Sequence, residues 1–164
     1  EELLDEVGSD ACRFTFLSRS PESHMEFDLG LAKRQSSENP VYYVQYAHAR
    51  MASILRAAGE KGINLNSADL DLLVHPQELE LIRKIIELPT VVERSAERME
   101  PHHLPHFAME LAKSLQRFYE HCRVVSSEKK DIEISKARLQ LVEAAQIALK
   151  RTLTLMGMSS PERM

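Results

Sequence analysis

From residue 104 onward, apolar side chains recur every three or four positions: Leu104, Phe107, Ala108, Leu111, Leu115, Phe118, Cys122 and Val125. That spacing draws one stripe on a helix of about five to six turns. A stripe of this length must be covered by other elements. Strand-like alternation is nearly absent from the chain, so helices are the expected cover. Pro101 and Pro105 stand at the start of the stripe, where their missing N–H groups cost little.

Two further long helices are expected. One runs from about Pro40 to Ala58, with Val41, Val44, His48, Met51, Ala52 and Leu55 on one face. Asn39 can cap it, Pro40 suits the first helical position, and Gly59 and Gly62 stop it. The other spans roughly Lys130 to Met156 and carries two apolar faces. Ala137, Leu141, Ala144, Ala145 and Ala148 mark one, and Leu139, Val142, Leu149 and Leu153 mark the second. Two apolar faces suit a central position in a bundle. Gly157 and Pro161 end it. Pro76 opens a shorter helix with Leu79, Ile82 and Ile86; Pro89 interrupts it, and Val91 to Met99 continues in a new direction. The stretch from Gly59 to Ser67 reads as the loosest loop. Residues 1–37 read as short helical pieces broken at Gly8, Pro21 and Gly30, which sets a boundary before a domain at 38–164. The fold class is all-α, a helical bundle.

Composition narrows the function. The 164 residues include 43% hydrophobic side chains and carry a net charge of −4, enough apolar material for one core. No stretch approaches the roughly 20 apolar residues of a membrane span. Two cysteines, Cys12 and Cys122, fit a reducing compartment better than a disulfide framework. The chain opens at Glu1 without a methionine, so it is expected to be a piece of a larger protein.

Motifs for chemistry are few. With five glycines and no phosphate-cradling or nucleophile-elbow motif, an active site within the chain is not expected. His102, His103 and His106, with Glu100 beside them, have helical metal-ligand spacing. They lack the further ligands of a closed zinc site, and a polar first turn accounts for them, so no metal is assigned. His121 and Cys122 are neighbours that diverge on a helix, which rules out a dyad. Basic residues gather in the second half: Lys113, Arg117, Arg123, Lys129, Lys130, Lys136 and Arg138. Tyr119 and Arg123 are four apart and would project together from a continuous helix. Two readings stand: a stacking site for an unpaired base, or a solvated face with Tyr119 half-buried against a neighbouring helix.

Three stretches carry more specific information. The first is Asp5-Glu6-Val7-Gly8-Ser9-Asp10-Ala11-Cys12-Arg13-Phe14, continuing through Arg19-Ser20-Pro21-Glu22-Ser23-His24 to Phe27-Asp28-Leu29. The second is Glu38-Asn39-Pro40-Val41-Tyr42-Tyr43-Val44-Gln45-Tyr46-Ala47-His48-Ala49-Arg50. The third is Ala137-Arg138-Leu139, then Leu155-Met156-Gly157-Met158, closing on Pro161-Glu162-Arg163-Met164. Together they closely resemble the arginyl-tRNA synthetases of bacterial type, class I enzymes, over essentially the whole chain.

The resemblance implies a piece that lies after the catalytic motifs. Residues 1–37 would be the helical junction leaving the catalytic domain, and 38–164 the all-helical DALR anticodon-binding domain. The whole enzyme would attach arginine to its tRNA with ATP and Mg; this piece alone would need no cofactor and would be inactive. Its partners would be arginine tRNA and the catalytic domain in cis, in the cytoplasm, without membrane or DNA. By the same resemblance, Tyr119, Arg123 and Met164 would face the anticodon loop. Lys113, Arg117 and Lys136 are candidate phosphate contacts from charge alone. Gln45 and Arg50 would touch tRNA or the catalytic domain, while most tyrosines of that helix would pack. The competing reading is a stand-alone helical protein-interaction module.

Overall fold

The structure is a computed structural model, and it describes all residues except 1, 21, 22, 24–26, 64–67, 127, 129 and 130. Eight α-helices and one short 3-10 turn account for its described elements, and no strand occurs among the described residues. Three short helices come first: α1 (Glu2–Val7), α2 (Ser9–Leu17) and α3 (Leu29–Lys33). Then follow α4 (Pro40–Glu60), the 3-10 turn at Leu70–Leu72, α5 (Pro76–Ile86), α6 (Leu88–Arg98), α7 (His103–His121) and α8 (Ile132–Leu155).

The core lies where α4, α5, α7 and α8 meet. Helix α8 is central, as its two apolar faces require. Leu139, Val142, Leu149 and Leu153 are fully buried, and so are Ala137 and Ala145 on the other face. The α7 stripe supplies Phe107, Ala108, Leu111, Leu115 and Phe118 to the same core. Helix α4 contributes Val44, Met51 and His48, the last with only 1% of its surface exposed.

Caps explain several boundaries. Asn39 Oδ1 accepts the Val41 N–H at 3.0 Å, and its amide donates to the Ala32 and Arg34 carbonyls at 3.0 and 2.9 Å. One side chain therefore starts α4 and holds the end of α3 against it. At α5, His75 Nδ1 accepts the Gln77 N–H at 3.2 Å, and Glu78 Oε2 accepts the His75 N–H at 2.8 Å. Pro89 falls in the second position of α6, so the chain turns between α5 and α6 where the proline spacing requires it.

Several expected boundaries move. Gly59 sits inside the last turn of α4, and the left-handed residue that follows the helix is Gly62, at φ 68°. Gly30 lies within α3 and breaks nothing, whereas Gly8, at φ 81°, does separate α1 from α2. The α7 stripe overruns its helix. Cys122 is extended at φ −121°, yet Cys122 and Val124 stay buried beyond the helix end. Tertiary bonds hold this exit: Arg138 donates to the Arg123 carbonyl at 2.9 Å and to Glu78 Oε1 at 2.6 Å. The expected breaks at Pro21 and in much of the loop up to Ser67, with Lys129 and the Lys130 helix start, lie outside the described residues.

Candidate nucleic-acid interface

Helix α4 turns Val44, His48 and Met51 inward, which leaves Tyr42, Tyr43, Tyr46 and Arg50 towards the outside. Tyr42 and Tyr46, one turn apart, stack with ring centroids 6.1 Å apart and 11° between planes. Tyr46 remains 46% exposed. Arg50 lies over the Tyr119 ring at 4.4 Å and donates to Gln116 Oε1 at 2.9 Å. Gln116 in turn donates to Glu120 Oε1 at 3.0 Å. A cleft of about 540 Å³ opens here, lined by Ser37, Tyr42, Tyr43, Tyr46, Arg50 and Gln116.

The C-terminal tail forms the other wall of this region. Gly157, at φ 69°, takes the left-handed conformation after α8, and the Met158 N–H closes back on the Leu153 carbonyl at 2.9 Å. The tail then runs along α4. Gln45 donates to the Ser159 hydroxyl at 3.0 Å, His48 Nδ1–H to the Pro161 carbonyl at 2.9 Å, and Arg56 to the Glu162 carbonyl at 3.2 Å. These bonds bring Met164, 54% exposed, to a second cleft that it shares with Tyr46, Arg50, Arg56 and Arg163. Tyr46 and Arg50 border both clefts. Three arginines, partly offset by Glu162, surround Tyr46 and Met164, and this net positive rim suits a ligand with planar rings and negative charge.

Burial pushes the Tyr119 phenol well above its ordinary value, against the lowering effect of the Arg50 guanidinium. Its hydroxyl is enclosed without a hydrogen-bond partner. The Tyr43 phenol is also raised, first by burial and then by Glu120. Burial raises the Cys122 thiol as well, which keeps it an unreactive core group.

The expected site residues do not form one patch. Tyr119 is half-buried beneath Arg50 of α4. Arg123 is exposed but lies past the end of α7, and helical projection beside Tyr119 therefore does not apply. Arg117 pairs with Glu80 of α5, and Lys136 pairs with Glu133 of its own helix at 2.8 Å. Lys113 is exposed. Gln45 bonds Asp10 of α2 at 2.8 Å besides the tail, so it ties three segments together. His121 Nδ1–H donates to the Arg117 carbonyl at 2.8 Å, away from Cys122. Sequence reasoning did not single out Gln116, Arg56 or Arg163 as lining these clefts, and it read Tyr46 with the packing tyrosines of α4. The Tyr42/Tyr46 spacing was a visible signal; the tail's return onto α4 had none.

Fold and geometry together define a helical domain in which α4, α7 and the tail share one aromatic and basic flank. The chain belongs to the DALR anticodon binding domain family, whose model matches residues 44–164. Over its whole length it is also similar to part of the arginine–tRNA ligases. That of Dehalococcoides mccartyi is 57% identical over 163 residues, covering 99% of this chain and 29% of the relative. That of Heliobacterium modesticaldum is 52% identical over 171 residues, covering 100% and 30%. The solved arginyl-tRNA synthetase of Thermus thermophilus superposes with a TM-score of 0.83 at 30% identity, covering 97% of this chain and 27% of that one. The chain thus spans less than a third of the length of these relatives.

Proposed function

We propose that this chain is the tRNA-binding portion of an arginine–tRNA ligase and holds the anticodon stem-loop of arginine tRNA. The observation that carries this reading is the family match over residues 44–164, which takes in most of α4, all of α7 and the returning tail. The ligation itself, with ATP and Mg, belongs to the catalytic domain of the whole enzyme. In this chain the work is positional: exposed rings stack on splayed bases, and arginines meet phosphates. Tyr46, Arg50 and Met164 form the centre of the surface. Lys113, exposed on α7, and Arg123, exposed just past its end, stand outside that centre as candidate phosphate contacts, and Tyr119 acts through Arg50 as the platform beneath it. Residues 1–37 form the junction to the catalytic domain, with the boundary before residue 38. The exposed Leu4, Phe16 and Leu29 support that docking role, since apolar side chains in one short segment suit a covered face.

The test is binding of the chain to arginine tRNA and to a variant altered at the middle anticodon base, at low and moderate salt. A preference for the unaltered anticodon that survives added salt is the expected result. Equal binding that salt abolishes for both would reject anticodon reading, because phosphate contacts alone carry no sequence information.

A further inference from the structure

The turn between α6 and α7 brings together groups that the tRNA surface does not use. Met99 ends α6 in the left-handed conformation at φ 54°, and the Glu100 N–H closes on the Ser95 carbonyl at 3.0 Å. Pro101 then directs the chain into α7, which begins at His103. One ligand atom each from Glu100, His102 and His103 lies within 4.8 Å of the others. His103 Nε2 already stands 3.0 Å from Glu100 Oε2, and the His102 and His103 ring centroids are 4.4 Å apart. Donor atoms on one tetrahedral zinc ion sit about 3.3 Å from one another, given metal–nitrogen bonds of about 2.0 Å. Small rotamer changes therefore bring all three donors to one ion.

A second feature points the same way. His102 Nδ1 is enclosed without a hydrogen-bond partner. An enclosed imidazole nitrogen with no partner is costly, and a cation satisfies it.

We propose that Glu100, His102 and His103 form an exchangeable binding site for one late first-row divalent cation of the zinc class. Two imidazoles and one carboxylate select against magnesium and calcium, which take oxygen ligands. Three protein ligands leave at least one position for water. The positive end of α7 opposes a cation, which makes the site exchangeable, not permanently filled. His106 is not a ligand: its ring lies edge-on to His102 at 6.0 Å, and Glu100 takes the place the histidine spacing suggested for it. The bound ion would lock the α6–α7 turn.

The experiment uses tag-free, chelator-stripped protein titrated with Zn²⁺ against a chromophoric chelator, with melting temperature recorded in parallel. The expected result is one ion per chain, a saturable rise in Tm with Zn²⁺, and none with Mg²⁺. His102→Ala, His103→Ala and Glu100→Gln each weaken binding about tenfold or more. His106→Ala and His121→Ala leave it unchanged. Circular dichroism confirms that each variant keeps its helix content, and Glu100→Gln preserves shape if a histidine variant does not fold. Absence of stoichiometric binding, full affinity in the His102 and Glu100 variants, or loss of binding in His121→Ala would overturn the proposal. The tRNA measurement, made with chelator present, stands or falls separately.

Discussion

Tyr119 illustrates how burial separates what a side chain is from what it can do. Its ring is the platform for Arg50, while its hydroxyl has no partner. Tyr119→Phe removes an unsatisfied group and is expected to leave stability unchanged or raise it by up to about 1 kcal/mol, read by urea unfolding. The raised phenol also implies a pH effect. The folded state keeps a proton that the unfolded state releases at its ordinary pKa of about 10. Stability from this group is complete below that pH and falls as pH rises towards the folded value. Tyr119→Phe should therefore lose less stability between neutral and strongly alkaline pH than the native chain. Arg50→Ala is the cleaner probe of binding. It removes a guanidinium worth about 1 kcal/mol over the ring, and it should weaken tRNA binding with the bundle intact by circular dichroism. Glu78 shows the opposite case, a fully buried carboxylate (0% exposed) held by Arg138 and the His75 N–H. Glu78→Ala leaves the Arg138 charge unpaired and should cost about 3–5 kcal/mol in chemical denaturation.

Helices here are delimited by caps that also join segments. Asn39 starts α4 and bonds two carbonyls at the end of α3. Asn39→Ala loses the cap, worth about 1 kcal/mol, and strands two half-buried carbonyls. The expected total is about 2 kcal/mol, seen as a lower urea midpoint with an unchanged m-value. Helix boundaries differed from expectation where tertiary bonds competed with local pattern. The stripe that ends α7 outruns its helix: Cys122 is buried on extended backbone, and Val124 is buried where helical spacing expects Val125, because burial does not require helical backbone. Arg138, from α8, holds the Arg123 carbonyl and so fixes the extended exit. No residue near 122 announces that partner 15 positions away. Gly59 and Gly62 were equally plausible stops, and the first stayed helical because glycine tolerates a helix end at small cost.

Across the molecule, the tail is the feature with the widest reach. Residues 159–164 bond Gln45, His48 and Arg56 of α4, and Ser159 also bonds Asp10 of α2. Removing residues 159–164 would leave His48, already lacking a partner at Nε2, without one at Nδ1. The truncated chain should lose about 1–3 kcal/mol of stability and most of its preference for the native anticodon, while keeping its helix content. Retained anticodon preference would place recognition elsewhere.

The all-α class, the five longer helices and the central place of α8 were legible in the spacing of apolar residues, because a helix repeats every 3.6 residues whatever surrounds it. The start of α4 at Pro40 and the turn at Pro89 were legible for the same local reason. The sequence motifs also carried the family resemblance. What only the tertiary structure decided was which charged and aromatic side chains meet. Arg50 covers Tyr119, Arg117 is taken by Glu80, and Met164 comes to rest beside Tyr46 and Arg56. Those pairings join residues far apart in the chain, and their geometry depends on packed helices and a left-handed Gly157. Local pattern determines which elements form; only their packing determines which side chains share a surface.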